Sequence, residues 1–86
     1  MDSIVKIDSG IWSEPWFERI PSLAKLVYLF LVSNPKVLYG RSYEITQKRI
    51  SEETLIPPID VDTCIEILKQ YGKIKTDDKF KITLVD

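Results

Sequence analysis

Apolar residues recur along this chain with a helical period first and a period of two at the end, and the change marks out its elements. Leu23, Leu26, Val27, Phe30 and Leu31 fall at helical spacing, while Tyr28, Leu29 and Val32 fill the other side. A helix over 21–33 follows. It starts at Pro21 and ends at Asn34-Pro35, because a residue before proline disfavours helix. A helix apolar almost all round lies at the centre of a core or also meets a partner chain. Thr46 is the expected cap of a second helix from Gln47 to Thr54, with Ile50 as its main core residue, Ile45 before it and Leu55 after it. Ile56-Pro57-Pro58-Ile59 reads as a rigid connector, since two prolines in sequence interrupt a helix. Asp60 is the expected N-cap of a third helix. Its buried stripe is Val61, Cys64, Ile65 and Leu68, and Gly72 after Tyr71 is its expected C-terminal cap.

Beyond Gly72 the pattern alternates. Lys73-Ile74-Lys75, the polar turn Thr76-Asp77-Asp78, and Lys79 to Leu84 predict a β-hairpin. Ile74, Phe80, Ile82 and Leu84 face the core in this reading, and the four lysines face outward. Ser42-Tyr43-Glu44-Ile45 predicts a short strand after a turn at Tyr39-Gly40. Upstream, Ser3 to Ile11 reads as an extended lead-in, and Ser13 as the cap of a short helix beginning Glu14-Pro15. The resulting order is that of an α+β winged helix-turn-helix. One domain spans 1–86, with an N-terminal extension at 1–20, the first main helix at 21–33, the helix-turn-helix at 46–71 and the wing at 73–84.

Composition narrows the chemistry. The chain has no His and one Cys, which removes the usual zinc ligand sets and any His-dependent triad. Its glycines, Gly10, Gly40 and Gly72, are too scattered for a phosphate-binding loop. No catalysis, cofactor, metal or small-molecule substrate is therefore expected. The N-terminal residues do not resemble a targeting segment. The most apolar run, Leu26 to Val32, falls far below the ~20 residues that span a bilayer. The chain reads as cytoplasmic, without a membrane partner.

Two basic groups are candidates for nucleic-acid contact. Lys73, Lys75, Lys79 and Lys81 alternate with apolar residues, so their ammonium groups share one face of the wing and can follow a phosphate backbone. The alternative is a solvated strand face whose lysines guard a sheet edge. Lys36, Arg41, Lys48 and Arg49 form the second group, the last two at the start of the helix that crosses the DNA backbone in many helix-turn-helix complexes. Asp62, Thr63, Glu66, Lys69 and Gln70 are the expected exposed positions of the third helix, and Thr63, Lys69 and Gln70 are its candidate base readers. From Ile50 to Leu68, however, there are five acids and no base. This argues against simple major-groove docking and favours wing-led DNA binding or protein contact. Trp12, Trp16, Phe17 and Tyr28 are either core aromatics or an oligomer interface. Cys64, on an apolar stripe, reads as a buried, inert thiol.

Several runs together resemble a family. They are Ile11-Trp12-Ser13-Glu14-Pro15-Trp16-Phe17, then Pro21 to Leu31 followed by Asn34-Pro35, then Gly40 with Tyr43-Glu44-Ile45. Arg49-Ile50-Ser51-Glu52-Glu53-Thr54, Ile65-Glu66-Ile67-Leu68 and Gly72-Lys73-Ile74 complete the set. The chain resembles the N-terminal winged-helix domain of phage replisome organisers and related DnaD-like replication initiation proteins, from about residue 4 to 84. It departs from that pattern at Leu55-Ile56-Pro57-Pro58, where a glycine-containing turn is expected. The resemblance implies binding to duplex DNA at a replication origin, homo-oligomerisation in some members, and recruitment of helicase-loading proteins. Such proteins usually carry a C-terminal part, so the resemblance implies either an excised domain or an unusually short member of the family.

Overall fold

The computed structural model describes residues 9–34, 42–77 and 81–85. Among these, a 3₁₀ turn at Ser9–Ser13 leads into the short helix α1 (Pro15–Arg19). There follow α2 (Ser22–Ser33), β1 (Ser42–Glu44), α3 (Gln47–Thr54), α4 (Pro58–Gln70), β2 (Ile74–Thr76) and β3 (Lys81–Leu84). The strands form one antiparallel sheet in the order β1-β3-β2. This is an α+β winged helix-turn-helix, with α3 and α4 as the helix pair and β2–β3 as the wing.

Local chemistry explains most element ends. The Thr46 side chain accepts from the Arg49 backbone N–H at 3.0 Å, so α3 begins where the sequence places it. Gly72 takes φ +71°, its N–H donates to the Lys69 carbonyl, and the Lys73 N–H donates to the Leu68 carbonyl. Those two bonds form a Schellman cap, which satisfies carbonyls that the end of α4 would otherwise leave open.

Three starts differ from expectation. Residues 9–11 belong to the 3₁₀ turn rather than an extended lead-in, while the part of that lead-in before residue 9 lies outside the described residues. Ser13 is absorbed into the same turn, so Glu14, without a side-chain cap bond, precedes α1. Proline at the first helical position has no N–H to satisfy, which lowers the need for a cap. The same logic moves the start of α4. Pro58 opens the helix behind Pro57, so Asp60 lies within the first turn, where its carboxylate still favours the helix dipole, rather than at the cap. The connector shrinks accordingly.

The core gathers Phe17, Ile20, Ala24, Val27, Tyr28, Leu31, Tyr43, Ile45, Ile50, Ile56, Val61, Cys64, Leu68, Ile74, Ile82 and Leu84. On α4 the expected stripe is buried except for Ile65, which is half-buried. On α2 the buried face is Ala24, Val27, Tyr28 and Leu31, so the helix is rotated from the expected stripe. Leu23 and Leu26 are left 43% and 44% exposed. The rotation buries Ala24 fully and sets Tyr28 against the rings of Trp16 and Phe17, while α2 packs on α4. In the sheet, Ile74 pairs with Leu84 and Tyr43 with Ile82, all four buried. The period-two reading of Ile74, Ile82 and Leu84 therefore holds, whereas Phe80 lies outside the described residues.

Candidate nucleic-acid interface

The outward face of the sheet follows from its register. Lys75 lies opposite Thr83, Thr83 opposite Ser42, and Lys81 opposite Glu44. Residues opposite one another, and residues two apart on one strand, share a face. Lys75, Lys81, Thr83, Ser42 and Glu44 are therefore neighbours on the side away from the core. Lys75 and Lys81 are exposed. Beside them the Ser42 and Thr83 hydroxyls hydrogen-bond to each other, joining β1 to β3. The hairpin is closed at its far end by Asp77, whose carboxylate accepts from the Lys81 backbone N–H at 3.0 Å.

The wing lysines do not form four equivalent groups. Lys73 is half-buried, with its Nζ 4.8 Å from the centre of the Trp16 ring. Such a cation–π contact holds the ammonium toward the N-terminal module. Lys79 lies outside the described residues, as do Lys36 and Arg41 of the second basic group. Lys75 and Lys81 thus supply the exposed positive charge of the described wing, partly offset by Asp77 at the hairpin end and by Glu44 opposite Lys81. The sequence could not reveal that last feature, because strand pairing brings β1 beside β3 from far along the chain.

Thr63, Lys69 and Gln70 are exposed on α4, together with Asp62 and Glu66. The Lys69 ammonium pairs with Glu66 at 3.2 Å, and Arg49 pairs with Glu53 at 3.8 Å. Lys48 is exposed on α3. Thr63 donates to the Ile59 carbonyl at 3.2 Å, back-bonding within its own helix. Each cation at the edge of the acidic Ile50–Leu68 stretch is therefore bound to an acid of its own helix. The helix that would read bases offers carboxylates to any approaching phosphate. No family model, curated protein or solved structure matches this chain.

The four aromatics form one edge-to-face cluster. Trp16 lies 5.0 Å from Tyr28 and 5.4 Å from Phe17, and Trp12 lies 5.2 Å from Phe17. Phe17 and Tyr28 are buried and Trp16 is half-buried, so these three anchor the N-terminal module to α2. Trp12 is 58% exposed, with the Lys25 ammonium 6.0 Å from its ring. Of the residues considered for an oligomer interface, Trp12 alone presents most of its surface to solvent.

Two more aliphatic side chains are exposed, and one of them, Leu55, is a residue the sequence reading places in the core after Ile50. Leu55 is 87% exposed and Ile59 75%, flanking the turn between α3 and α4. Cys64 is buried, and burial, with the Asp60 carboxylate adding to it, pushes its thiol pKa up. Among the described residues, no helix is long and apolar enough to cross a membrane.

Proposed function

We propose that this chain is a winged-helix module that binds duplex DNA through the outer face of its wing. It does so in a cytoplasmic replication-initiation role of the kind its resemblance to replisome organiser and DnaD-like domains implies. The observation that carries this reading is the placement of Lys75 and Lys81 on one exposed sheet face beside the Thr83 and Ser42 hydroxyls. Ammonium and hydroxyl groups at strand spacing suit consecutive phosphate oxygens, which position a protein without reading sequence. Lys48 at the start of α3 adds a third exposed cation. The acidic face of α4 supports a docking in which this helix stays out of the major groove.

The test is fluorescence anisotropy of a labelled duplex titrated with the chain at several salt concentrations. Each phosphate contact contributes about 0.9 to the slope of log K against log salt. The double variant K75A/K81A is expected to bind more weakly and to lower that slope by about 1–2. An unchanged slope, or no binding by the parent chain at low salt, overturns the assignment.

A second reading, docking to a protein partner with little DNA affinity, is favoured by one specific feature. Leu55 and Ile59 are exposed beside Glu52, Glu53, Asp60 and Asp62, a combination that suits protein contact and not phosphate. Homo-oligomerisation and contact with helicase-loading proteins belong to this reading, which predicts species larger than a monomer or a stable hetero-complex.

A further inference from the structure

A cavity of about 170 Å³ opens between the start of α3, the middle of α4 and β3. Ile45, Ile50, Ile65 and Ile82 line it, with Gln47 and Asp62 as its polar residues. Ligand clefts for drug-sized molecules run to roughly 300–1,000 Å³, so this one is too small for a cofactor. It is close to the ~150 Å³ apolar cavity that accepts a benzene-sized group, and so matches a single aliphatic side chain.

The polar groups specify charge. Asp62 is exposed and, when ionised, only accepts. The Gln47 amide nitrogen already donates to the Pro58 carbonyl oxygen at 2.7 Å, which turns its carbonyl into the more available group. Around the cleft, the stretch from Ile50 to Leu68 holds five acids and no base. Arg49 and Lys69 at its two ends are paired with Glu53 and Glu66, so Glu52, Asp60 and Asp62 have no paired cation among the described residues. Such a surface repels a phosphate backbone and attracts lysine or arginine.

We propose that this cleft is a docking site for a segment of another protein. The segment seats one aliphatic side chain among the four isoleucines and sets a neighbouring Lys or Arg against Asp62. The site is separate from the outer sheet face, because Ile82 lines it from the opposite side of β3. One chain can thus hold DNA on the wing while a basic, apolar-anchored partner occupies the helix pair.

A random peptide library selected on the intact chain tests this, with the enriched peptides then measured by anisotropy against the parent chain, D62K and I65A. Asp62 is exposed, so D62K is expected to keep the fold, checked by far-UV circular dichroism. The expected enrichment is for peptides with Lys or Arg next to Leu, Ile or Met. Their affinity should fall about tenfold or more in D62K and fall with added salt. No enrichment, enrichment without basic residues, or equal affinity for folded D62K overturns the proposal. Stronger duplex binding by D62K with unchanged peptide binding assigns the cleft to the DNA surface instead. A dimer of the parent chain that D62K dissociates in sedimentation assigns it to a second copy, and either result also overturns the proposal.

Discussion

Leu55 combines two costs at one position. Its backbone sits in the left-handed region, φ 62°, and its side chain is 87% exposed. A left-handed L-residue is disfavoured by roughly 1–2 kcal/mol, and glycine there removes that clash while loosening the unfolded chain by about 0.4–1 kcal/mol. L55G is therefore expected to stabilise the fold by about 0.5–1 kcal/mol in denaturant titration. A destabilised L55G would show that the exposed side chain is held by contacts that matter. Tyr43 makes a second prediction. Its hydroxyl donates to the Leu31 carbonyl at 2.6 Å, and burial pushes its pKa up to about 12. The unfolded phenol ionises near 10, so between about pH 10 and 12 the unfolded chain holds fewer protons than the native one. Stability should be intact below about pH 10 and fall as pH rises through that window, by roughly 2–3 kcal/mol. Y43F should flatten this alkaline limb, and an equally steep fall in Y43F would contradict the assignment. Thr46 and Gly72 were legible as caps because capping is chemistry within a few residues. Leu55 was not, because leucine has no left-handed preference. Its conformation is set by closing a turn in which Leu55 N–H bonds the Ser51 carbonyl and the Ser51 hydroxyl bonds the Ile56 carbonyl.

Among the elements, α3 and the Cys64 stripe of α4 match the sequence reading, since few rotations bury Val61, Cys64 and Leu68 together. The face of α2 was not legible. A helix of twelve residues with a single charge, Lys25, carries no polar side to fix its rotation, and contacts from α4 and the aromatic cluster decide it instead. Lysines of the wing were legible as a group but not in their separate roles. Lys73 braces Trp16, whereas Lys75 stands exposed. K73A should lower stability by about 0.5–1 kcal/mol, toward 2 if the contact is well desolvated, and alter tryptophan emission. K75A should stay within about 0.5 kcal/mol of the parent. Equal effects of the two substitutions in thermal denaturation would remove the distinction.

At the scale of the whole molecule, charge is divided between surfaces while the net charge is only −1. The acidic α3–α4 face was visible from the run without bases. What the sequence did not show is that Arg49 and Lys69 turn back onto neighbouring acids, or that Glu44 comes to face Lys81. Nor could it show the cleft, which is assembled from residues between Ile45 and Ile82. In the proposed division, duplex DNA is given to the wing and the helix pair is left to a different partner. Amide chemical-shift mapping of the isotopically labelled chain, titrated with a short duplex at low salt, tests this division most directly. The account predicts shifts concentrated at Ser42, Lys75, Lys81 and Thr83, with Asp62, Thr63 and Glu66 little changed. Shifts concentrated on the exposed face of α4, or no shift anywhere, would contradict it.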